Sequence, residues 1–237
     1  MLKAAIEKIV SLAAPTTFEI DGYTYASQKL ERIEEPEDRP RLLEVSGLDS
    51  LCKLICTEIE KVDTTIMIRV VSHNHVEVFT TYLKDYSRYQ LYSARADVPG
   101  FRTGYREREQ ALIELRSLFL QGDGTEYLLG LLSRMSEQSK VDTLDNGVTQ
   151  TVETVQGVAL KTSENIKPRV ALAPFRTFLE VAQPESEFLL RVNENGDVGL
   201  FEADGGVWKL EAKQNICEYF QKRLADLIDA KRVIVMM

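Results

Sequence analysis

The chain is poor in the residues on which catalysis and disulfide scaffolds most often depend. Its 237 residues include three cysteines, two histidines and one tryptophan. So few cysteines, in an odd number, make no disulfide framework and fit a reducing cytoplasm. Both histidines fall in the single stretch Ser72-His73-Asn74-His75, which leaves little to serve a nucleophile as general base. No G-x-S-x-G elbow and no P-loop lysine pattern occurs. No apolar run approaches the roughly 18 residues that a membrane span requires. The opening MLKAAIEKIVSLAAP weakly mimics a signal peptide, but Glu7 and Lys8 interrupt it. Leu2, Ile6, Ile9, Val10 and Ala13 fall at helical spacing, so an amphipathic helix is expected there. Internal repeats and low-complexity tracts are also missing.

What is present belongs to an ordinary folded protein. A hydrophobic fraction of 44% and a charged fraction of 28% are enough for a core and argue against global disorder. The formal net charge of −8 disfavours a surface coated in basic residues for duplex DNA, but leaves room for a local basic stripe.

Periodicity then divides the chain. Phe18, Ile20, Tyr23 and Tyr25 around Asp21-Gly22 predict a hairpin. Glu34, Glu35, Glu37 and Asp38, with Pro36 and Pro40, form an exposed acidic connection. Ser46 is a candidate N-cap for a helix whose face is Leu48, Leu51, Cys52, Ile55 and Ile59. Ile66 to Val70 and Val76 to Thr80 predict a hairpin around the histidine turn, and Tyr82 to Ala96 reads as one or two tyrosine-rich strands. Leu112, Leu115 and Phe119 favour a helix, and Thr125 is placed to cap another that runs to Met135. From Asp142 the pattern is mainly β, with a turn at Asp145-Asn146-Gly147. Phe175 to Phe178 is strand-like beyond Pro174. Phe188–Val192, Val198–Phe201 and Val207–Leu210, joined by glycine turns, predict a three-stranded meander. Ile216, Tyr219, Phe220, Leu224, Leu227 and Ile228 mark a helix over 211–229, and Val233 to Met237 a last strand. The expected fold is α+β: mostly antiparallel sheets with hairpins and a meander, packed by several amphipathic helices. An N-terminal α+β lobe (1–140) and a C-terminal meander-plus-helix lobe (141–237) are expected to form one folding unit.

Four constellations bear on chemistry. Cys52 and Cys56, four apart, and His73 and His75, two apart, have spacings that can each grip zinc; buried cysteine and an exposed histidine turn are the commoner roles. Gly122-Asp123-Gly124-Thr125 precedes a helix, and a loop with a threonine cap explains it. Asp145, Glu202 and Asp204 supply a metal-dependent hydrolase only if they meet in space, and turn chemistry already accounts for them. The most suggestive stretch is Tyr82 to Arg108. It carries Lys84, Arg88, Arg95, Arg102, Arg106 and Arg108 against three acids, interleaved with Tyr82, Tyr86, Tyr89, Tyr92, Phe101 and Tyr105. Cations on phosphates with aromatic faces under bases is how single-stranded nucleic acid is held. The weightier competing explanation is a half-buried tyrosine-lined sheet with solvated or acid-paired arginines. Further along, Arg176 and Arg191 sit among apolar residues, where a buried arginine needs a partner such as Glu180, Glu187 or Glu202.

The stretches Asp145-Asn146-Gly147-Val148-Thr149-Gln150, Pro174-Phe175-Arg176-Thr177-Phe178-Leu179-Glu180-Val181, Gln183-Pro184, Ser186, Phe188 and Leu200-Phe201-Glu202-Ala203-Asp204-Gly205-Gly206-Val207-Trp208-Lys209 resemble an uncharacterised phage and prophage protein family. YfdQ-like prophage proteins look distantly similar. The likeness is densest from about 142 to 222, and Arg176, Glu180, Arg191, Glu202, Asp204 and Trp208 are its motif residues. It implies a phage-derived protein in the cytoplasm of a bacterial host, encoded among replication or recombination genes, and brings no catalytic residues with it. The function expected is thus a non-enzymatic accessory protein, self-associating and binding single-stranded nucleic acid, with no cofactor and no membrane. An inhibitor or modulator of a host defence factor is the first alternative, and a metal-dependent hydrolase the second.

Overall fold

The computed structural model describes residues 2–13, 16–20, 22–27, 41–84, 86–135, 142–145, 150–156, 160–193 and 195–237; for 2, 9–13, 23, 142–145, 150–156 and 160–165 it describes the backbone alone. Met1–Pro40 and Arg41–Met237 separate into two units. In the first, α1 (Leu2–Ala13) takes the helical stretch, and β1 (Thr17–Ile20) and β2 (Tyr23–Ala26) form the expected antiparallel hairpin. Gly22 turns it at φ 81°, where only glycine is free of a Cβ penalty. Asp21 and the acidic stretch at 34–38 lie outside the described residues.

The second unit builds three sheets, two of them covered by helices. Its first elements are β3 (Leu43–Val45), α2 (Leu48–Glu58), β4 (Ile66–Ser72), β5 (His75–Thr80) and β6 (Gln90–Arg95). They are followed by β7 (Gly104–Arg106), α3 (Arg108–Ser117), α4 (Asp123–Arg134), β8 (Asp142–Asp145), β9 (Gln150–Gln156) and β10 (Leu160–Ile166). The chain ends with β11 (Arg169–Leu172), β12 (Ser186–Val192), β13 (Val198–Glu202), α5 (Trp208–Arg223), α6 (Ala225–Asp229) and β14 (Val233–Met236). The first sheet has the order β14-β4-β5-β6-β3, with parallel pairs at both edges and antiparallel pairs between. Period-two alternation puts Ile66, Ile68, Val70, Val76 and Val78 on one face. Leu48, Leu51, Cys52 and Ile55 from α2 and Ile216 and Phe220 from α5 complete that core. Tyr219 and Arg223 of α5 both donate to Asp49 of α2, at 2.6 and 2.7 Å, and so tie the two covering helices together. Residues from both sides of position 140 therefore share this sheet and its core. The second sheet is antiparallel, in the order β11-β12-β13-β7. Leu115 of α3, Leu128 and Leu132 of α4, and Phe119 between the two helices pack with Phe188 and Leu190. A third sheet, β10-β9-β8, stands beside it in the sequence. The fold is α+β, with antiparallel and mixed sheets packed by helices.

Three local expectations are corrected. Val207–Leu210 is the start of α5, not the last strand of a meander. The Asp204-Gly205-Gly206 turn starts the helix, and Trp208, Ala212, Ile216 and Phe220 at four-residue spacing all bury on one stripe. Ser46 does not cap α2. Gly47 occupies the N-cap position without a side-chain bond, and the Asp49 N–H is met by Glu180 Oε1 at 3.3 Å, from 131 residues away. Phe175 to Phe178 is loop rather than strand: the Phe175 N–H donates to the Leu118 carbonyl, and those of Arg176 and Thr177 turn to the Gln183 side chain.

One close approach yields a prediction. A Cβ on Gly124 would lie 2.0 Å from the Ala171 carbonyl oxygen and 3.1 Å from Val170 Cγ1. Alanine gains at most about 1 kcal/mol of helix propensity, whereas overpacking against fixed backbone costs about 3 kcal/mol. Gly124→Ala is therefore expected to lower the urea midpoint despite sitting in a helix.

Candidate functional site

The candidate contact residues Lys84, Tyr86, Arg88, Tyr89, Tyr92, Arg95, Arg102 and Arg106 divide among four places. Lys84, Tyr86, Arg88 and Tyr89 lie in the loop between β5 and β6. Arg95 is at the far end of β6, opposite His75, about 17 Å along the strand from Gln90. Arg102 and Arg106 belong to the second sheet's segment, where Arg106 Nε donates to Glu114 at 3.1 Å and its Nη2 to the Arg102 carbonyl. Tyr92 points into the first core and gives its hydroxyl to Glu58 at 2.5 Å, so its ring offers no free face. Tyr89 is half-buried against the same core. The stretch is thus part core, as the competing explanation held, and part surface.

The surface part is the loop. The Tyr89 carbonyl accepts from Thr80 N–H, and the Tyr89 N–H reaches Thr80 Oγ1 at 3.0 Å. Beyond this base, Leu83 N–H donates to Ser87 O at 3.0 Å and Tyr86 N–H to Leu83 O at 2.9 Å. This tight closure forces Tyr86 to φ 61°, a conformation that ordinarily calls for glycine in a hairpin loop and is an outlier for a bulky residue. The only other non-glycine at positive φ among the described residues is Lys231. There the backbone terminates α6, with Lys231 N–H on Ile228 O and Arg232 N–H on Leu227 O, which is a normal helix ending. At Tyr86 too the backbone turn sets the dihedral, but with a bulky residue where glycine is usual, and Tyr86 is 83% exposed. Beside it Tyr82 is 62% exposed, with the Arg88 guanidinium carbon 3.9 Å from its ring centroid. Lys84 is exposed on the same loop. Two rings and two cations thus share one strained loop.

The motif residues make a second cluster, at the junction of the two sheets. Arg176 leaves the loop after β11 and buries its side chain over Trp208 at the head of α5, 3.8 Å from the ring centroid. It donates to Glu202 Oε1 at 3.1 Å, to the Pro184 carbonyl at 3.0 Å and to Ser186 Oγ at 2.6 Å. Of the acids considered as its partner, Glu202 takes the role; Glu180 caps α2, and Glu187 pairs with Arg169 at 2.7 Å. Arg191 is half-buried on β12 opposite Gly199. Gln183 holds the loop in shape: its Oε1 accepts from Arg176 and Thr177 N–H at 2.9 and 3.1 Å, and its Nε2 donates to Phe178 O at 3.0 Å. His73 closes the cluster edge-on to Trp208 at 4.8 Å, while its carbonyl takes the Thr177 hydroxyl. Partial burial works to raise the Asp204 pKa, but the Gly206 N–H, the Ser186 hydroxyl and the Trp208 N–H, with Arg176 nearby, together outweigh it and hold the carboxyl below its ordinary range. Asp204 is therefore a helix-start ligand. Arg176 Nε and Trp208 Nε1 are buried without a partner among the described residues, and the bonds of the cluster run between the β4–β5 turn, the loop after β11 and the start of α5.

Burial, together with Lys209 and Arg176 nearby, holds the His73 pKa below 6.5, against a smaller opposing pull from Glu202. The unfolded chain takes the proton first, so stability falls as pH drops below about 6.5 and levels off once the folded histidine titrates. His73→Gln is expected to flatten that part of the stability–pH curve between pH 7.5 and 5, measured by urea midpoints.

The zinc pairs do not converge. Cys52 is buried in the first core, where burial raises its thiol pKa to about 12, and Cys56 is exposed. His75 faces Ser93 and Glu77. Among the described residues no three His, Cys, Asp or Glu side chains gather to hold a metal. The Asp145 side chain lies outside those residues, and Glu202 and Asp204 are engaged as above. No described helix is long and apolar enough to cross a membrane. No protein-family model, curated protein or solved structure matches the chain.

Proposed function

We propose that this chain is a non-enzymatic binding protein that holds short single-stranded nucleic acid on the loop between β5 and β6. The observation that carries this is Tyr86, kept almost fully exposed on left-handed backbone beside the Tyr82–Arg88 stack. Strain retained at a surface loop is the mark of a residue kept for contact rather than for stability. Two exposed rings match two unstacked bases, and Lys84 and Arg88 match the phosphates between them. Stacking at roughly 1–3 kcal/mol per base predicts weak binding by one copy, on the order of tens of millimolar to tens of micromolar. In a chain of net charge −8, that suits a protein that samples strands rather than coating them. The phage setting, as an accessory factor in replication or recombination, rests on the resemblance of the C-terminal motifs alone.

The test is fluorescence anisotropy of a labelled thymidine oligonucleotide at rising salt. Two phosphate contacts predict a log–log slope of about −1.4. Binding that vanishes in Lys84→Ala/Arg88→Ala supports the reading. No binding at low salt overturns it. Capture of one stoichiometric host protein by the same loop, with no oligonucleotide bound, supports the modulator alternative instead.

A further inference from the structure

We infer that β14 is the contact between two copies of this chain, joined edge to edge in antiparallel fashion about a twofold axis through Val235. Among the described residues β14 is the outer strand of the first sheet and pairs only with β4. The Arg232 carbonyl accepts from Ile66 N–H, so Arg232, Ile234 and Met236 turn their backbone groups toward β4. By strand alternation Val233, Val235 and Met237 turn theirs outward, toward the open edge.

Proteins usually blunt such an edge with charge, proline, a bulge or shortness. The opposite edge strand, β3, has three residues with Glu44 at its centre. β14 is also short, at four residues, but carries no charge, proline or bulge. It is Val-Ile-Val-Met, with Ile234 44% exposed and Met236 and Met237 exposed beside it.

Self-complementarity decides the occupant. Residues opposite one another in a continuous sheet must point to the same face, and outward backbone groups must meet outward groups. With Val235 on the axis, Val235 faces its own copy, Val233 faces Met237 of the second copy, and Ile234 faces Met236 of the second copy. This register uses every outward group of Val233, Val235 and Met237 and places no charge opposite another. Sliding the partner by two residues would set Arg232 against Met236 and leave Met237 unpaired.

A second observation agrees. A groove of about 560 Å³ runs beside Val233 on the helix-covered side, lined by Gln221, Ile228, Lys231 and Thr65. In this register, it receives Met237 of the second copy.

Light scattering on the full chain is expected to give twice the 26.9 kDa chain mass at micromolar concentration. Ile234→Lys, at an exposed position, is expected to raise the dimer dissociation constant about tenfold or more with an unchanged circular dichroism spectrum. In a Cys56→Ser background, Ile234→Cys/Met236→Cys is expected to form a reducible covalent dimer, because these positions lie opposite in the closer, non-hydrogen-bonded pair. A monomeric parent protein overturns the inference. So does a dimer whose dissociation constant is unmoved by Ile234→Lys, or Ile234→Cys alone cross-linking as well as the double variant.

Discussion

Tyr86→Gly is expected to give a protein more stable than its parent that no longer retains an oligonucleotide. Left-handed backbone costs a residue with a side chain about 1–2 kcal/mol. Glycine removes that cost, but adds about 0.5–1 kcal/mol of unfolded-state entropy. The Tyr86 ring, 83% exposed, contributes little packing to lose. The net is a gain of about 0.5–1 kcal/mol, read as a higher urea midpoint at unchanged slope. Tyr86→Ala keeps the strained backbone and loses the ring, so its stability is expected to stay within about 0.5 kcal/mol of the parent while its binding also fails. Together the two variants separate strain from contact. A loss of stability in Tyr86→Gly would show that the ring serves the fold.

Arg176→Ala is expected to cost about 3 kcal/mol of stability. A desolvated guanidinium–indole stack is worth about 2 kcal/mol, and hydrogen bonds from a charged donor add more. Burial of the charge and the unpartnered Nε work in the other direction. For a chain of this length, 3 kcal/mol corresponds to a fall in Tm of about 6–12 °C. Arg176→Lys is expected to recover less than half of the loss, since ammonium reproduces neither the planar stack over Trp208 nor the fork to Pro184, Ser186 and Glu202. Unchanged oligonucleotide binding in the folded Arg176→Lys protein is the companion expectation, because this cluster lies at the sheet junction and not on the loop. Weakened binding there would make Arg176 part of the contact surface.

Much of the fold was legible because periodicity records burial. The β4–β5 hairpin, α2 and the buried stripe of α5 follow directly from where Ile68, Val76, Leu51 and Phe220 fall. The start of α5 was not, because Val207-Trp208-Lys209-Leu210 alternates like a strand while Asp204 and the four-residue spacing from Trp208 set a helix. The capping of α2 by Glu180 was illegible in principle, since the donor and acceptor meet only after folding. At the sites the pattern is similar. Composition drew attention to Tyr82–Arg108 but had no means of separating Tyr92, which enters the core, from Tyr86, which does not. The dihedral strain that sets Tyr86 apart has no sequence signal beyond a tyrosine where glycine is usual. The partners of Arg176 were narrowed to three acids by the demand that a buried charge be paired, and the sheet register then brought Glu202 to it.

The central claim is that the β5–β6 loop holds single-stranded nucleic acid through exposed rings and two cations. Its most direct test is oligonucleotide anisotropy against salt, for the parent protein and Tyr86→Gly side by side. The account predicts weak, salt-sensitive binding with a slope of about −1.4 in the parent and none in the more stable variant. Equal binding by both proteins, or a slope near zero, would contradict it.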